Sequence, residues 1–257
     1  MSVKDKIIEQ DRYNNSSNLK QNYISNDFLK ILGADNFESH FQAPYVLYHT
    51  LIANSVKEKI NVSHLDLCCG DGIHSLTSAK LGAKVIAIDY AENSIMLARQ
   101  RAKIFNLNID FRTGDVEMLP FDDNTFDLVT CAGSLSYVDS NIFLTEVFRV
   151  LKPGGKFICV DSFNHNLFYK FNRFIHYLKG QRSYSTLKRM PNEKLLKKIK
   201  KQYHDFEVHY FGIFIFLAPL FKLFMNTKQL NNLLVKLDIF FSYLRKYSFK
   251  IVFKAIK

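Results

Sequence analysis

The sequence of 257 residues is 47% hydrophobic and 23% charged, with ten glycines, five prolines and no tryptophan. That composition excludes a disordered tail, a collagen-like fibre and a low-complexity chain, and suits one domain of α/β size with some extra covering. The net charge of +11 is unevenly placed: residues 1–160 carry 16 basic and 19 acidic side chains, a net −3, whereas residues 161–257 carry 19 and 5, a net +14.

In chain order, the segment Met1–Gln10 is charged at Lys4, Asp5, Lys6 and Glu9. It lacks an apolar h-region and so does not read as a secretory signal. Residues 1–60 turn from polar to helical in pattern, with Phe41, Tyr45 and Tyr48 ahead of the first strand, and are expected to form a helical cap on the sheet's ligand edge. From Val62, short apolar runs alternate with amphipathic segments, the pattern of a parallel sheet with helices on its faces. The runs 64-HLDLCC-69, 85-VIAI-88, 127-DLVTC-131 and 156-KFICV-160 read as strands. Between them, helices are expected over 73–82, closed by Gly82; over 92–105, with Ile95, Ala98, Ala102 and Phe105 on one face; and over 140–151, ended by Pro153. Residues 61–161 form the expected core. Residues 162–257 form a basic, aromatic region that completes the sheet, with a helix at 192–203, a strand at 206–211, a helical stretch to about Tyr247 and a closing strand at 248–256. The apolar run 211–225 contains Pro219 and Lys222 and is too short to span a bilayer. Cys68, Cys69, Cys131 and Cys159 show no zinc spacing, so no metal is expected, and they read as reduced thiols of a cytoplasmic protein.

The strongest motif is 65-LDLCCGDGIHS-75, an apolar strand running into a turn with two glycines that opens a helix. Gly70 and Gly72 let backbone approach a ligand where a Cβ would block it. Asp89 ends the second strand, where a carboxylate can accept both hydroxyl protons of a ribose. Asp115, in 113-TGDVEMLPF-121, follows the third strand within reach of an adenine amino group. The segments 126-FDLVTCAGSLSYV-138 and 149-RVLKPGGKF-157 follow in order.

These five elements resemble the class I S-adenosylmethionine-dependent methyltransferases, in the branch that methylates small molecules; the resemblance covers residues 62–161 closely. It implies an α/β, Rossmann-like doubly wound sheet of seven mostly parallel strands with an antiparallel last strand, an N-terminal helical cap and helical C-terminal insertions. It also implies S-adenosylmethionine as cofactor and S-adenosylhomocysteine as product. Carried over, Asp66 holds the methionine end, Gly70 and Gly72 line the cofactor turn, Asp89 binds ribose, and Asp115 with Val116 binds adenine. Cys131 and Ala132 lie beneath the amino-acid end, and Tyr45, Cys68, Tyr90, Glu117 and Tyr137 complete the expected cofactor contacts. Cys68 departs from the pattern, standing where the family's first turn glycine usually does. A nicotinamide-dependent oxidoreductase is disfavoured because Ser75 occupies the third glycine of its fingerprint. A non-catalytic adenosyl-binding module stays open.

The acceptor side is less explicit. The segment 131-CAGSLSY-137 lacks the Pro-Pro-aromatic signature of base-amine methylation, and Cys131 lacks the proline of a covalent pyrimidine mechanism, so nucleic-acid bases are disfavoured despite the basic C-terminal region. His165, flanked by Asn164 and Asn166 after the fifth strand, is the candidate general base; the competing reading is a histidine that hydrogen-bonds its own loop. His74 is expected to contact backbone. Asn164, Arg173, Arg182, Lys188 and Arg189 are the candidate substrate contacts, with Ser183, Ser185 and Thr186 completing a phosphate clamp in 179-KGQRSYSTLKRMP-191. The expected reaction is methyl transfer to an oxygen of a small anionic acceptor, such as a phosphorylated or nucleotide-linked sugar or a natural-product intermediate. RNA or lipid-linked acceptors and peripheral membrane contact remain open.

Overall fold

The computed structural model describes residues 5–12, 42–179 and 182–257; Phe41 and most of the expected N-terminal cap lie outside them. The sheet has seven strands: β1 (Ser63–Leu67), β2 (Lys84–Asp89), β3 (Ile109–Thr113), β4 (Phe126–Ala132), β5 (Leu151–Ser162), β6 (Asp205–Phe211) and β7 (Lys250–Ile256). They lie in the order β3-β2-β1-β4-β5-β7-β6. β1 to β5 run parallel, with Leu65 opposite Ile86 on one side and Val129 on the other; β7 is antiparallel to both β5 and β6. The chain winds outward from β1 in one direction and from β4 in the other. The crevice for a ligand therefore falls at the carboxyl ends of these two neighbours.

Helices cover both faces. They are α1 (residues 5–12), α2 (Gln42–Lys57), α3 (Ser75–Lys80), α4 (Glu92–Ile104), α5 (Ser140–Val150), α6 (Leu167–Leu178), α7 (Tyr184–Lys188), α8 (Glu193–Gln202) and, after a single turn at Ala218–Phe221, α9 (Thr227–Phe240). Alternation along β1 sends Leu65 and Leu67 into one core layer with Val129, Phe157, Phe143 and Ile199. The opposite layer holds Leu128, Ile158, Val160 and Val252 against Tyr48, Ile52 and Val56 of α2. Tyr48, Ile52 and Val56 follow one another at four-residue intervals, a stripe that needs a broad apolar face. α2 therefore lies across the sheet, with Tyr45 at its amino end reaching the ligand edge beside Lys250, and α1 stands at that edge as well.

The α2 face also buries a polar chain. His64 Nδ1 lies 2.6 Å from Ser78 Oγ and its Nε2 2.7 Å from Thr130 Oγ1, and Thr130 donates to Asp66 Oδ1 at 2.7 Å. Ser75 donates to Asp66 Oδ2 at 2.5 Å. Every member has a partner, which is the condition for polar groups to be tolerated at this depth. Burial drives His64 down to about 3 and lifts Asp66 to about 6, the latter against the pull of its two hydroxyl donors.

Candidate active site

The turn after β1 is built on left-handed backbone at Cys68 (φ 54°), Gly70 (φ 54°) and Gly72 (φ 74°). The two glycines do different work. A Cβ on Gly70 would meet nothing within 4 Å, so its backbone borders open space. A Cβ on Gly72 would stand 2.7 Å from Ala98 Cβ and 2.8 Å from Phe111 Cε1. Gly72 is thus a packing glycine that lets the turn sit on α4 and β3. Cys68 pays the left-handed cost that a glycine would avoid, and its thiol lies against those of Cys131 and, beyond it, Cys159 on the neighbouring strands. All four thiols are free.

Asp89 closes β2 with one oxygen on the Gly70 N–H and the other on the Ala91 N–H, both at 2.8 Å. Burial lifts its pKa above the ordinary carboxylate value, and these amides oppose the rise. Asp115 accepts the Glu117 N–H at 3.0 Å and an ion pair from Lys6. Glu117 accepts the Asp139 N–H at 2.6 Å and pairs with Lys6 at 2.9 Å, and Val116 is buried in the core. α1 thus lies over this end of the crevice, with Gln10 donating to the Tyr90 carbonyl at 3.0 Å. Asp66 is buried with each oxygen bonded to a hydroxyl, so it braces the turn from behind and presents no exposed oxygen. Ala132 ends β4 in parallel register with Val160, next to Cys131 opposite Cys159.

The residues expected on the acceptor side gather after β5. Asn166 caps α6 by accepting the Tyr169 N–H at 3.0 Å, so the chain after β5 becomes helix from Leu167. Arg173 is buried, its guanidinium donating to Tyr169 Oη at 3.1 Å and to Ser136 Oγ and the Thr186 carbonyl at 3.2 Å each; its Nε has no partner among the described residues. Arg182 donates to the Tyr137 hydroxyl, and Arg12 lies 5.3 Å from the centre of that ring. Burial pushes the Tyr137 phenol up, but Arg12, Arg182 and Arg173 outweigh it and hold the group below its usual range. Tyr137 therefore belongs to a cationic cluster on the acceptor side. His165 packs on Phe163 with ring centres 5.1 Å apart, and its buried Nε2 has no partner among the described residues.

The clamp expected over 179–191 does not assemble as a unit. Ser183 Oγ caps α7 and faces Ser185 Oγ at 3.0 Å, Thr186 donates to the Ser183 carbonyl at 2.8 Å, and Lys188 lies over Tyr184 at 4.7 Å. Arg182 reaches the Tyr137 hydroxyl and the Thr186 carbonyl accepts from Arg173, while Arg189 stands near Asp139. Asn164 joins its backbone N–H to the Pro191 carbonyl at 2.8 Å. His74 meets side chains: its Nδ1 is 3.1 Å from His49 Nε2 and its ring stacks on Tyr45.

Sequence reasoning missed Lys250, which is buried with Nζ 3.1 Å from the Tyr45 hydroxyl. Burial opposes its charge, yet Tyr45 and the nearby Asp161 outweigh it and raise its basicity. The available signal was a lysine inside the apolar run 249-FKIVF-253. Arg12 gave no such signal, because only the fold brings α1 to Tyr137.

The sheet order, the switch point between β1 and β4, the acid at the end of β2 and the glycine turn fit the resemblance to class I S-adenosylmethionine-dependent methyltransferases. Residues 65–159 match the family described as a methyltransferase domain. The chain is 34% identical over 146 residues to the demethylmenaquinone methyltransferase of Lactococcus lactis subsp. lactis (strain IL1403), a match covering 55% of this chain and 56% of that one. The chain thus spans little more than half the length of that curated relative. In three dimensions it is similar to the phosphoethanolamine N-methyltransferase 2 of Haemonchus contortus, solved with S-adenosylhomocysteine, at a TM-score of 0.55 and 18% identity over 81% of this chain and 52% of that one. It is also similar to the cyclase SpnF, at a TM-score of 0.57 and 19% identity over 84% of this chain and 82% of that one. At such identities these structures share the fold, and the cyclase marks how far chemistry can diverge on it. Among the described residues no helix is long and apolar enough to cross a membrane.

Proposed function

We propose that this protein transfers a methyl group from S-adenosylmethionine to a small acceptor that carries an anionic oxygen beside the methylated atom. The observation that carries the cofactor half is the open space at Gly70 set against the Asp89 carboxylate, which the Gly70 and Ala91 amides hold in place. Asp89 would hold the ribose hydroxyls, Asp115 the adenine amino group once Lys6 yields or shares its oxygen, and Gly70 and Ala132 would border the amino-acid end. Asp66 would act only through the turn it braces. The bound cofactor supplies an electrophilic methyl on a sulfonium, so the chain's own task is to place the acceptor in line and exclude water.

On the acceptor side, Arg173 and Arg182 around Tyr137 suit an oxyanion, whether a phosphate or an ionised hydroxyl. Stabilising an ionised hydroxyl would activate that oxygen, or the carbon beside it in an aromatic ring, as a nucleophile. His165, with its unpartnered Nε2, is the group proposed to take the proton. The demethylmenaquinone methyltransferases among the relatives favour a second reading, in which the acceptor is a quinone-derived ring and the methyl goes to carbon. Methyl-labelled cofactor offered with sugar phosphates, simple phenols and reduced naphthoquinones separates the two. Label on a sugar phosphate supports the first, label on a naphthoquinol supports the second, and binding of cofactor without transfer to any acceptor favours an adenosyl-binding module. On the active acceptor, His165→Ala should lower kcat by about 10²–10⁴ while leaving cofactor affinity unchanged; full turnover would show that placement alone suffices.

A further inference from the structure

α6 is built inside out. Its one arginine, Arg173, is buried, whereas Leu167, Phe171, Phe174 and Leu178 are 70%, 66%, 47% and 67% exposed. These four recur at intervals of four, three and four residues and therefore form a single stripe on the helix. Lys170, three residues after Leu167 and four before Phe174, stands exposed at the margin of the stripe, and Lys179 is exposed at its end. An ordinary surface helix buries such a stripe and exposes its cations on the far side.

The stripe continues into a second apolar surface. Phe168 stacks on Phe216 with ring centres 4.3 Å apart, Phe216 lies 6.2 Å from Phe214, and Phe214 lies 5.0 Å from Phe241. Beyond that run of rings, Leu223, Phe224, Ile239, Phe240 and Tyr243 are each at least 70% exposed. Single exposed apolar side chains are ordinary, but a linked set of this extent marks a surface that meets something apolar. Its charge says what. From Ser162 to Asn192 the sequence has six Lys and Arg and no acid. From Val208 to Tyr247 the single acid is Asp238, which is turned inward onto the Gly212 and Ile213 amides. Lys228, Lys236, Arg245 and Lys246 are exposed in that second stretch.

We propose that the outer face of α6, with the ring-linked end at Phe240 and Tyr243, docks on an anionic phospholipid surface: aromatic and leucine side chains enter the interface, and the surrounding lysines meet lipid phosphates. A nucleic acid would engage the cations but has no use for the leucine and phenylalanine stripe. The pairing of an apolar stripe with a cationic margin is the complement of an acidic bilayer. Docking turns the outer side of α6 to the membrane while its inner side holds Arg173 at the acceptor edge, so an acceptor dissolved in the bilayer would have a short path to the site. The docking itself stands without the methyl-transfer reading.

The absence of tryptophan supplies the probe. In the full chain, Phe171→Trp should shift its emission to shorter wavelength on phosphatidylglycerol vesicles and hardly at all on phosphatidylcholine. Ile60→Trp, 86% exposed and ahead of the amino end of β1, should not respond. Co-sedimentation with phosphatidylglycerol vesicles should fall about tenfold or more for Phe171→Ser with Phe174→Ser. It should fall about twentyfold for Lys170→Glu with Lys179→Glu, at roughly fivefold per cation, and decline with salt. Because all four side chains are exposed, the melting temperature should hold. The proposal is overturned if the wild-type chain does not sediment with phosphatidylglycerol vesicles or if Ile60→Trp shifts as much as Phe171→Trp. It is equally overturned if Phe171→Trp emission is already shifted without lipid in a species of twice the monomer mass, since a second copy would then own the face.

Discussion

Gly70 and Gly72 are two residues apart and both left-handed, yet the structure assigns them opposite sensitivities. Alanine at Gly70 carries only the left-handed penalty, about 1–2 kcal/mol, because its Cβ meets nothing within 4 Å. Alanine at Gly72 carries the same penalty and in addition drives its Cβ to 2.7 Å from Ala98 Cβ and 2.9 Å from Phe111 Cζ. Both neighbours are buried in one core cluster, so neither has room to retreat, and overpacking of this kind costs a further 1–3 kcal/mol or so. Thermal melts should therefore show Gly72→Ala falling by roughly 5–15 °C, and further than Gly70→Ala. Calorimetric titration with S-adenosylhomocysteine should show the reverse order: a loss of about tenfold or more for Gly70→Ala, whose methyl enters the proposed ligand space, and near-native affinity for Gly72→Ala at a temperature where it is folded. Adding Phe111→Leu to Gly72→Ala should recover part of the lost stability by making room for the methyl. Equal melting temperatures for the two variants would refute the packing role of Gly72. Native affinity in Gly70→Ala would show that the open space at the turn is not where the ligand sits.

Asp89→Ala removes the carboxylate proposed to take two ribose hydroxyls and should weaken S-adenosylhomocysteine by about 2–4 kcal/mol in the same titration; Asp89→Asn, which keeps an acceptor oxygen, should lose less. Arg182→Ala should raise KM for an anionic acceptor about tenfold or more and leave cofactor affinity unchanged, in steady-state assays on whichever acceptor proves active. Stability should also decline on the acid side: burial holds His49 and His64 near 3 and His74 near 4, below the ordinary 6.5. The unfolded chain therefore binds these protons first, and stability drops as pH falls from about 6.5 toward about 4, each tenfold difference in proton affinity being worth roughly 1.4 kcal/mol. Asp66, lifted to about 6 from 3.8, has the opposite sign, because the folded state holds its proton more tightly and gains as pH falls through that window. Urea titrations at successive pH values should accordingly show His64→Gln flattening the acid decline and Asp66→Asn steepening it; unchanged slopes in both would refute the assignment.

The residues proposed for the cofactor half were legible because their signals are local. The strand-to-turn-to-helix run through 65-LDLCCGDGIHS-75, the acid that ends β2 and the acid after β3 each sit where the chain's own periodicity puts them, and the sheet order follows from alternating strands and helices. Within that half, what the sequence left open is direction. Gly70 and Gly72 look alike in sequence, and only the packing of Phe111 and Ala98 tells them apart. Asp66 reads as a ligand group until Ser75 and Thr130 are seen to take both oxygens. The stripe of Tyr48, Ile52 and Val56 announces an apolar face for α2 but not which surface it covers.

The acceptor half was hidden for a different reason: its groups come from segments that no pattern links. Tyr137 follows β4, Arg173 lies on α6, Arg182 precedes α7 and Arg12 comes from α1, so the cluster exists only once α6 has folded back over the edge, and Lys250 reaches Tyr45 only once β5 and β7 have paired. The same rotation of α6 that buries Arg173 fixes where its apolar side chains must go. With Arg173 donating to Tyr169, Ser136 and Thr186 on the inner side, Leu167, Phe171, Phe174 and Leu178 have only the outer side left. The inward arginine and the outward hydrophobic stripe are consequences of one register. A substitution that turned α6 to bury the stripe would have to expose the arginine and dismantle the Tyr137 cluster, which couples the proposed acceptor chemistry to the proposed surface.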